Sequence, residues 1–169
     1  MQFRKTHLAL LFIVCFFACD PDSKIDSILY TYSLVDINAT SDAFGANISP
    51  ASYPDQVTLH YFGHQNWGTC SARVGNLDDL YQDLLNNGIN NVQIIAIGMS
   101  EFSSNNGNWT NGNSIPVLVD PSPYNVWSNW GADQRDLFFL DLNGNYVTDF
   151  NITSWDYDKI YSTILALSS

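Results

Sequence analysis

The chain has 169 residues and a formal net charge of −11, enough for one domain with a full core and a short leader. A surface this acidic repels phosphate backbones and anionic lipid, which sets nucleic acid aside as a partner. Past the first 19 residues, two histidines and one cysteine make no convincing metal site.

The leader comes first. Arg4 and Lys5 precede an apolar run at residues 8–17 that ends at Ala18-Cys19-Asp20. A charged start, an apolar stretch short for a spanning helix and a small residue before a cysteine describe an export signal over residues 1–18. Phe16-Phe17-Ala18-Cys19 resembles a bacterial lipobox, with Phe16 where leucine is usual. That resemblance implies cleavage before Cys19 and a lipid on it. The product would be exported, periplasmic or at the cell surface, and would meet membrane only through its anchor. The alternative is an ordinary cleaved signal, a secreted product and Cys19 left as a thiol. Without the leader, four basic residues (Lys24, Arg73, Arg135, Lys159) face seventeen acidic ones, a formal charge of −13. If Cys19 is lipidated, Cys70 has no partner within the mature chain. It is then a buried structural thiol or a reactive one that meets partners from outside.

Residues 19–29 read as a polar tether and 30–169 as one domain. Residues 30–37 are β-prone and expected early in the sheet, and 38–54 are loop-like. Val57–Phe62 is a core strand, broken at Gly63. Residues 69–86 carry Val74, Leu77, Leu80 and Leu84 at helical spacing, and Gly88 is the expected left-handed stop. Residues 92–97 (VQIIAI) are apolar on both faces, as a central parallel strand is. Residues 103–114, with five Asn and two Gly, read as an exposed loop. A short strand at 115–119 and a short helix near 124–130 follow. Residues 137–141 and 146–152 flank Asn143-Gly144, a strong hairpin signal. Thr153 or Ser154 can cap a last helix to about Leu167. This order predicts an α/β, thioredoxin-like fold: a central mixed sheet flanked by helices, closed by a C-terminal hairpin and helix.

Strand, short loop, then thiol at a helix start is the arrangement that thiol exchange needs, because unpaired amides and the helix dipole favour a thiolate. The attacking cysteine of such a site lies three residues before the second one, and here that position is Trp67. Tryptophan neither attacks nor is resolved, so Trp67-Gly68-Thr69-Cys70 is a degenerate redox motif.

Several stretches resemble the N-terminal redox domain of selenoprotein P and its bacterial secreted relatives. Val57-Thr58 opens the strand, position 67 is where that family carries selenocysteine or cysteine, and Cys70 matches the second member of its motif. Leu77, Asp79, Leu80, Leu84, Asn86, Gly88 and Asn91 follow the pattern through the helix. Ile115-Pro116-Val117, Val126-Trp127, Asp136, Asp141 and Gly144 match further on, and Tyr61-Phe62-Gly63-His64 with Arg135-Asp136 look like the bacterial branch. The resemblance covers about residues 57–152. It implies a thioredoxin fold, export, and thiol or selenol redox chemistry on a thiol or disulfide substrate, a protein among the possibilities. The domain is expected as a monomer. The only cofactor implied is selenium, as selenocysteine at position 67. Selenocysteine is encoded by UGA, and some genetic codes read UGA as Trp.

Two further residues join Cys70 and position 67 as candidates. His64 lies at the strand end, within reach of the thiol or held by backbone in its loop. Arg135, in Asp133-Gln134-Arg135-Asp136-Leu137 just before the hairpin, occupies the approach where thioredoxins place a cis-proline. Its guanidinium either sits near Cys70 and favours the thiolate or pairs with Asp133 or Asp136. Asp141-Leu142-Asn143-Gly144-Asn145 lacks the ligand set of a calcium loop and reads as the hairpin turn.

Overall fold

The computed structural model describes residues 30–168; the expected export signal, the expected tether and Cys19 lie outside them. Leu34–Val35 (β1) and Asn47–Ile48 (β2) form a two-residue antiparallel pair of their own. The other strands and α-helices are Val57–Phe62 (β3), Gly68–Asn86 (α1), Val92–Met99 (β4), Gly107–Thr110 (α2), Val117–Asp120 (β5), Asn125–Trp130 (α3), Asp136–Leu140 (β6), Tyr146–Asn151 (β7) and Tyr157–Leu167 (α4). The main sheet has the order β5-β4-β3-β6-β7. β3 pairs parallel with β4 and antiparallel with β6, β4 pairs parallel with β5, and β6 and β7 form the hairpin.

All six residues of β3 are buried, so the sheet is covered on both sides and its central strand can be apolar throughout. The strand's period of two sends Leu59 and Tyr61 to one layer, with Cys70, Val74, Leu77, Leu80 and Leu84 of α1 and Ile160 and Ile164 of α4. Phe62 goes to the other, with Trp127 and Trp130 of α3, Ile95, Ile97, Phe138 and Tyr32. His60 shares that second layer: Trp130 lies 4.8 Å from its ring, and Tyr32 Oη (2.8 Å) and Thr58 Oγ1 (2.9 Å) satisfy its two nitrogens. Burial drives its pKa from 6.5 to about 3, so it packs as a neutral ring.

Helix α1 ends as its sequence predicts, with Gly88 at φ +81°. The hairpin turn also forms where Asn143-Gly144 places it. Asp141 Oδ1 accepts the amides of Asn143 and Asn145 at 2.9 Å each, which makes this carboxylate a turn residue.

Three expectations are corrected. Residues 30–37 do not add a strand to the main sheet; only an isolated bridge joins Asp36 to Leu118, while Tyr32 packs into the core. Residues 103–114 are largely solvent-facing but are not all loop. They hold part of a 3-10 turn, Ser100–Asn105, and α2, whose Trp109 is fully buried. One large aromatic outweighs the polar Asn-rich composition there, since burying its ring is worth more than any local propensity. The last helix begins later than Thr153 or Ser154. Asp156 caps it, its carboxylate accepting the Lys159 amide at 3.1 Å, and Thr153 is engaged elsewhere.

Candidate functional site

The loop between β3 and α1 is fixed from beneath by a side chain. Gln65 Nε2 donates to Met99 O (3.2 Å) and Asn106 Oδ1 (3.0 Å), and its Oε1 accepts the Met99 amide (3.2 Å). Asn108 Nδ2 donates to the Gln65 carbonyl at 2.8 Å. The amide group thus continues the ladder of β4 past the end of β3. It fits only because residue 98 is glycine: a Cβ there would run into the Gln65 amide. Gly63 answers a similar demand, since its missing Cβ would stand 2.9 Å from the Tyr61 hydroxyl and 3.1 Å from Trp109.

On this base the two positions of the motif take opposite environments. Trp67 is the N-cap residue of α1, with no side-chain capping bond, and is 51 % exposed. Cys70 is the third residue of the helix, inside the turn whose amides have no intrahelical acceptor, and is 0 % exposed. Its sulfur receives the Gln134 side-chain amide, Nε2 to Sγ 3.5 Å. The Tyr61 hydroxyl, buried beside that sulfur, has no nitrogen or oxygen partner. Burial first, and then the neighbouring Cys70, hold its pKa far above the ordinary phenol value, so it stays a donor.

Arg135 stands at φ +75°, a left-handed backbone for a residue that is not glycine. Two bonds hold it there, its amide to Phe62 O and its carbonyl from the Ile152 amide, both 2.8 Å. The guanidinium turns to Thr153 Oγ1 (Nε, 2.7 Å) and Gln134 Oε1 (Nη1, 3.0 Å). Asp136 instead accepts the Asp133 amide and Asn151 Nδ2, both at 2.8 Å. The side chain that touches the thiol is therefore Gln134, and Arg135 is one step behind it. The cis peptide among the described residues is Ser122-Pro123, before α3, and not in this turn.

His64 stacks among aromatic rings, with Phe102 at 4.5 Å, Trp127 at 5.4 Å and the edge of Trp67 at 6.3 Å. Partial burial lowers its pKa, Glu101 opposes that shift, and Arg135 adds to it. The structure thus places His64 beside Trp67, while the sulfur's bond goes to Gln134. Sequence reasoning missed Gln134, Tyr61, Gln65 and Arg73. Arg73 donates to Ile152 O and Thr153 O, both at 2.7 Å, and so ties α1 to the end of β7. The signal for Tyr61 was available: a polar-tipped ring in an otherwise apolar strand needs a partner. Nothing local marks a glutamine as a thiol contact.

Among the described residues no three His, Cys, Asp or Glu side chains come together as metal ligands. Two clefts, of about 430 and 350 Å³, lie elsewhere. The first is lined by Tyr30, Tyr53, Pro54 and Asn143 among others, the second by Asp42, Tyr81 and Gln93; neither includes Trp67, Cys70, His64 or Arg135.

The mixed five-stranded sheet with helices on both faces, and an N-terminal helix turn facing the hairpin approach, is a thioredoxin-like fold. Solved structures of that fold superpose over most of the chain. A thiol:disulfide interchange protein DsbE of Chlorobium tepidum aligns at a TM-score of 0.66 and 15 % identity, covering 82 % of this chain and 94 % of that one. The exposed lipoprotein thioredoxin of Streptococcus pneumoniae aligns at 0.64 and 18 %, covering 81 % and 99 %. A secreted disulfide oxidoreductase of Mycobacterium tuberculosis aligns at 0.61 and 16 %, covering 84 % and 99 %. At such identities the likeness is one of fold. No protein-family model and no curated protein matches the sequence. No helix among the described residues is long and apolar enough to cross a membrane.

Proposed function

We propose that this is an exported, lipid-anchored thioredoxin-like domain of the selenoprotein P N-terminal type, with a role in extracytoplasmic thiol or selenol exchange. The observation that carries the reading is the contrast within one helix turn. Position 67 is presented to solvent at the helix N-cap, and Cys70, three residues on, is sealed beneath it. An exchange pair needs that asymmetry, because the exposed chalcogen meets the outside disulfide and the inner one resolves the mixed intermediate. Cys19 is the proposed anchor and a thiol or disulfide, carried by a protein, the proposed substrate. Several acyl chains would be needed for a stable hold, since one binds membrane only marginally.

Tryptophan at position 67 leaves the pair incomplete. In the selenol version of the reading, the residue made in the cell is selenocysteine. Its selenolate attacks one sulfur of a substrate disulfide, forming a selenium–sulfur bond and releasing the first substrate thiolate. The Cys70 thiolate then attacks the selenium and displaces the second substrate thiolate. The substrate leaves as two thiols once protons are taken up, and the domain is left with a bond between Cys70 and position 67. A UGA codon at position 67, with selenium in the purified protein at about one atom per chain, as a single selenocysteine requires, supports it. A UGG codon ends it and leaves Cys70 as the redox-capable group of residues 30–169.

A second reading draws on one half of the same contrast. The 0 % exposure of Cys70 suits a domain that keeps the fold as a binding or structural module at the cell surface. Thiol reactivity separates the two. Alkylation of Cys70 in the folded protein near neutral pH supports redox chemistry; reaction only after unfolding supports the module.

A further inference from the structure

The Gln134 amide hydrogen-bonds the Cys70 sulfur, and its orientation is settled by chemistry. A guanidinium has five N–H donors and no acceptor. Arg135 Nη1 lies 3.0 Å from Gln134 Oε1, so the amide oxygen must face Arg135. Its NH2 must then face the sulfur. Arg135 is fixed in turn by Thr153 Oγ1 and by the two backbone bonds that hold its left-handed conformation. Beside the same sulfur stands Tyr61, whose buried hydroxyl has a proton to donate and no oxygen or nitrogen to receive it.

We propose that Gln134 is the positioning residue of the Cys70 thiol, and that Arg135 acts on the sulfur through it. Arg135 locks the amide so that its N–H is presented to Cys70. Such a donor favours a sulfur that accepts, which is the thiolate. The Tyr61 hydroxyl on β3 feels Cys70, Arg135 in the turn before β6 and Arg73 on α1, and His64 feels Glu101 and Arg135. Of these cations, Arg135 is the one that Gln134 joins to the sulfur. The assignment concerns the state of Cys70 in the folded domain. It holds whether the domain turns over a substrate or only binds one, so its failure is separable from the failure of the redox reading.

The test is a double-mutant cycle on the full chain, carrying carbon-labelled cysteine, with the Cys70 Cβ resonance assigned by its loss in Cys70→Ser. The Cβ shift reports protonation without any reagent reaching the buried sulfur. Gln134→Leu and Arg135→Ala should each reduce the thiolate fraction at a given pH about three- to tenfold, the worth of one hydrogen bond. The double variant should reduce it no further than the larger single one. Gln134→Glu guards against misfolding: it keeps the bond to Arg135 but offers the sulfur no donor, and should move the pH profile at least as far. The proposal is overturned if Arg135→Ala has the same effect in the Gln134→Leu background as in the native one, which would mean direct action on the sulfur. An unmoved profile in Gln134→Leu and Gln134→Glu, or a native thiol that never ionises short of unfolding, overturns it as well.

Discussion

His60 and Tyr61 are neighbours on β3 that face opposite layers of the protein, and they are treated in opposite ways. Both are buried and both carry polar tips. His60 has a partner at each nitrogen; Tyr61 has a hydroxyl with no nitrogen or oxygen partner, beside a sulfur. A buried polar group without a partner forfeits about 1–3 kcal/mol. Within this pair His60 is the paired side and Tyr61 the unpaired one; the layers they face do not divide that way, since Trp127 and Trp130 in the layer of His60 also bury an indole N–H without a partner.

The largest expected effect breaks the paired side. His60 has its folded-state pKa lowered from 6.5 to about 3. The unfolded chain takes up a proton below 6.5 and the folded one does not until about 3, so stability is complete above 6.5 and is lost as pH falls between those values. The loss at the acid end is on the order of 4 to 5 kcal/mol. Urea unfolding at about pH 7 and about pH 4 measures most of it, and in His60→Leu the difference between the two should shrink accordingly. Next comes the base of the loop: Gly98→Ala should cost about 1–3 kcal/mol by forcing the Gln65 amide from its slot, with exchange of the Met99 amide accelerated. The smallest effect sharpens the comparison itself. Tyr32→Phe leaves His60 Nδ1 unpartnered and should cost about 1–3 kcal/mol, whereas Tyr61→Phe removes a hydroxyl that has no partner and should leave stability unchanged or raise it. Equal costs at the two tyrosines would remove the contrast.

Most of the fold was legible because it follows from periodicity. β3, α1, β4 and the hairpin are long or strongly patterned, and their bounds fall close to the pattern. Residues 100–110 were not, because their composition is that of a loop and only Trp109 betrays a packed element. The same holds for Tyr32: a β-prone run looked like a strand, while its tyrosine had a tertiary partner, His60, that no local pattern encodes. At the site, Cys70 and position 67 could be read from spacing within one segment. Gln134 meets Cys70 across 64 residues of sequence, through a backbone turn whose left-handed residue is an arginine. Strain of that kind is a product of the assembled fold and leaves no mark in the sequence. Arg135 was singled out for its charge, and in the structure its guanidinium bonds Gln134, the side chain that touches the sulfur.

The central claim is that this scaffold holds a complete exchange site apart from one chalcogen at position 67. The most direct measurement is a redox titration of Trp67→Cys in a dithiol buffer, read by mass after acid quenching. The account predicts a reversible disulfide between position 67 of that variant and Cys70 within the folded domain, with reductase activity on a protein disulfide that the parent and Trp67→Ser lack. Two thiols that remain unpaired under oxidising conditions, or a disulfide that forms only on unfolding, would contradict it.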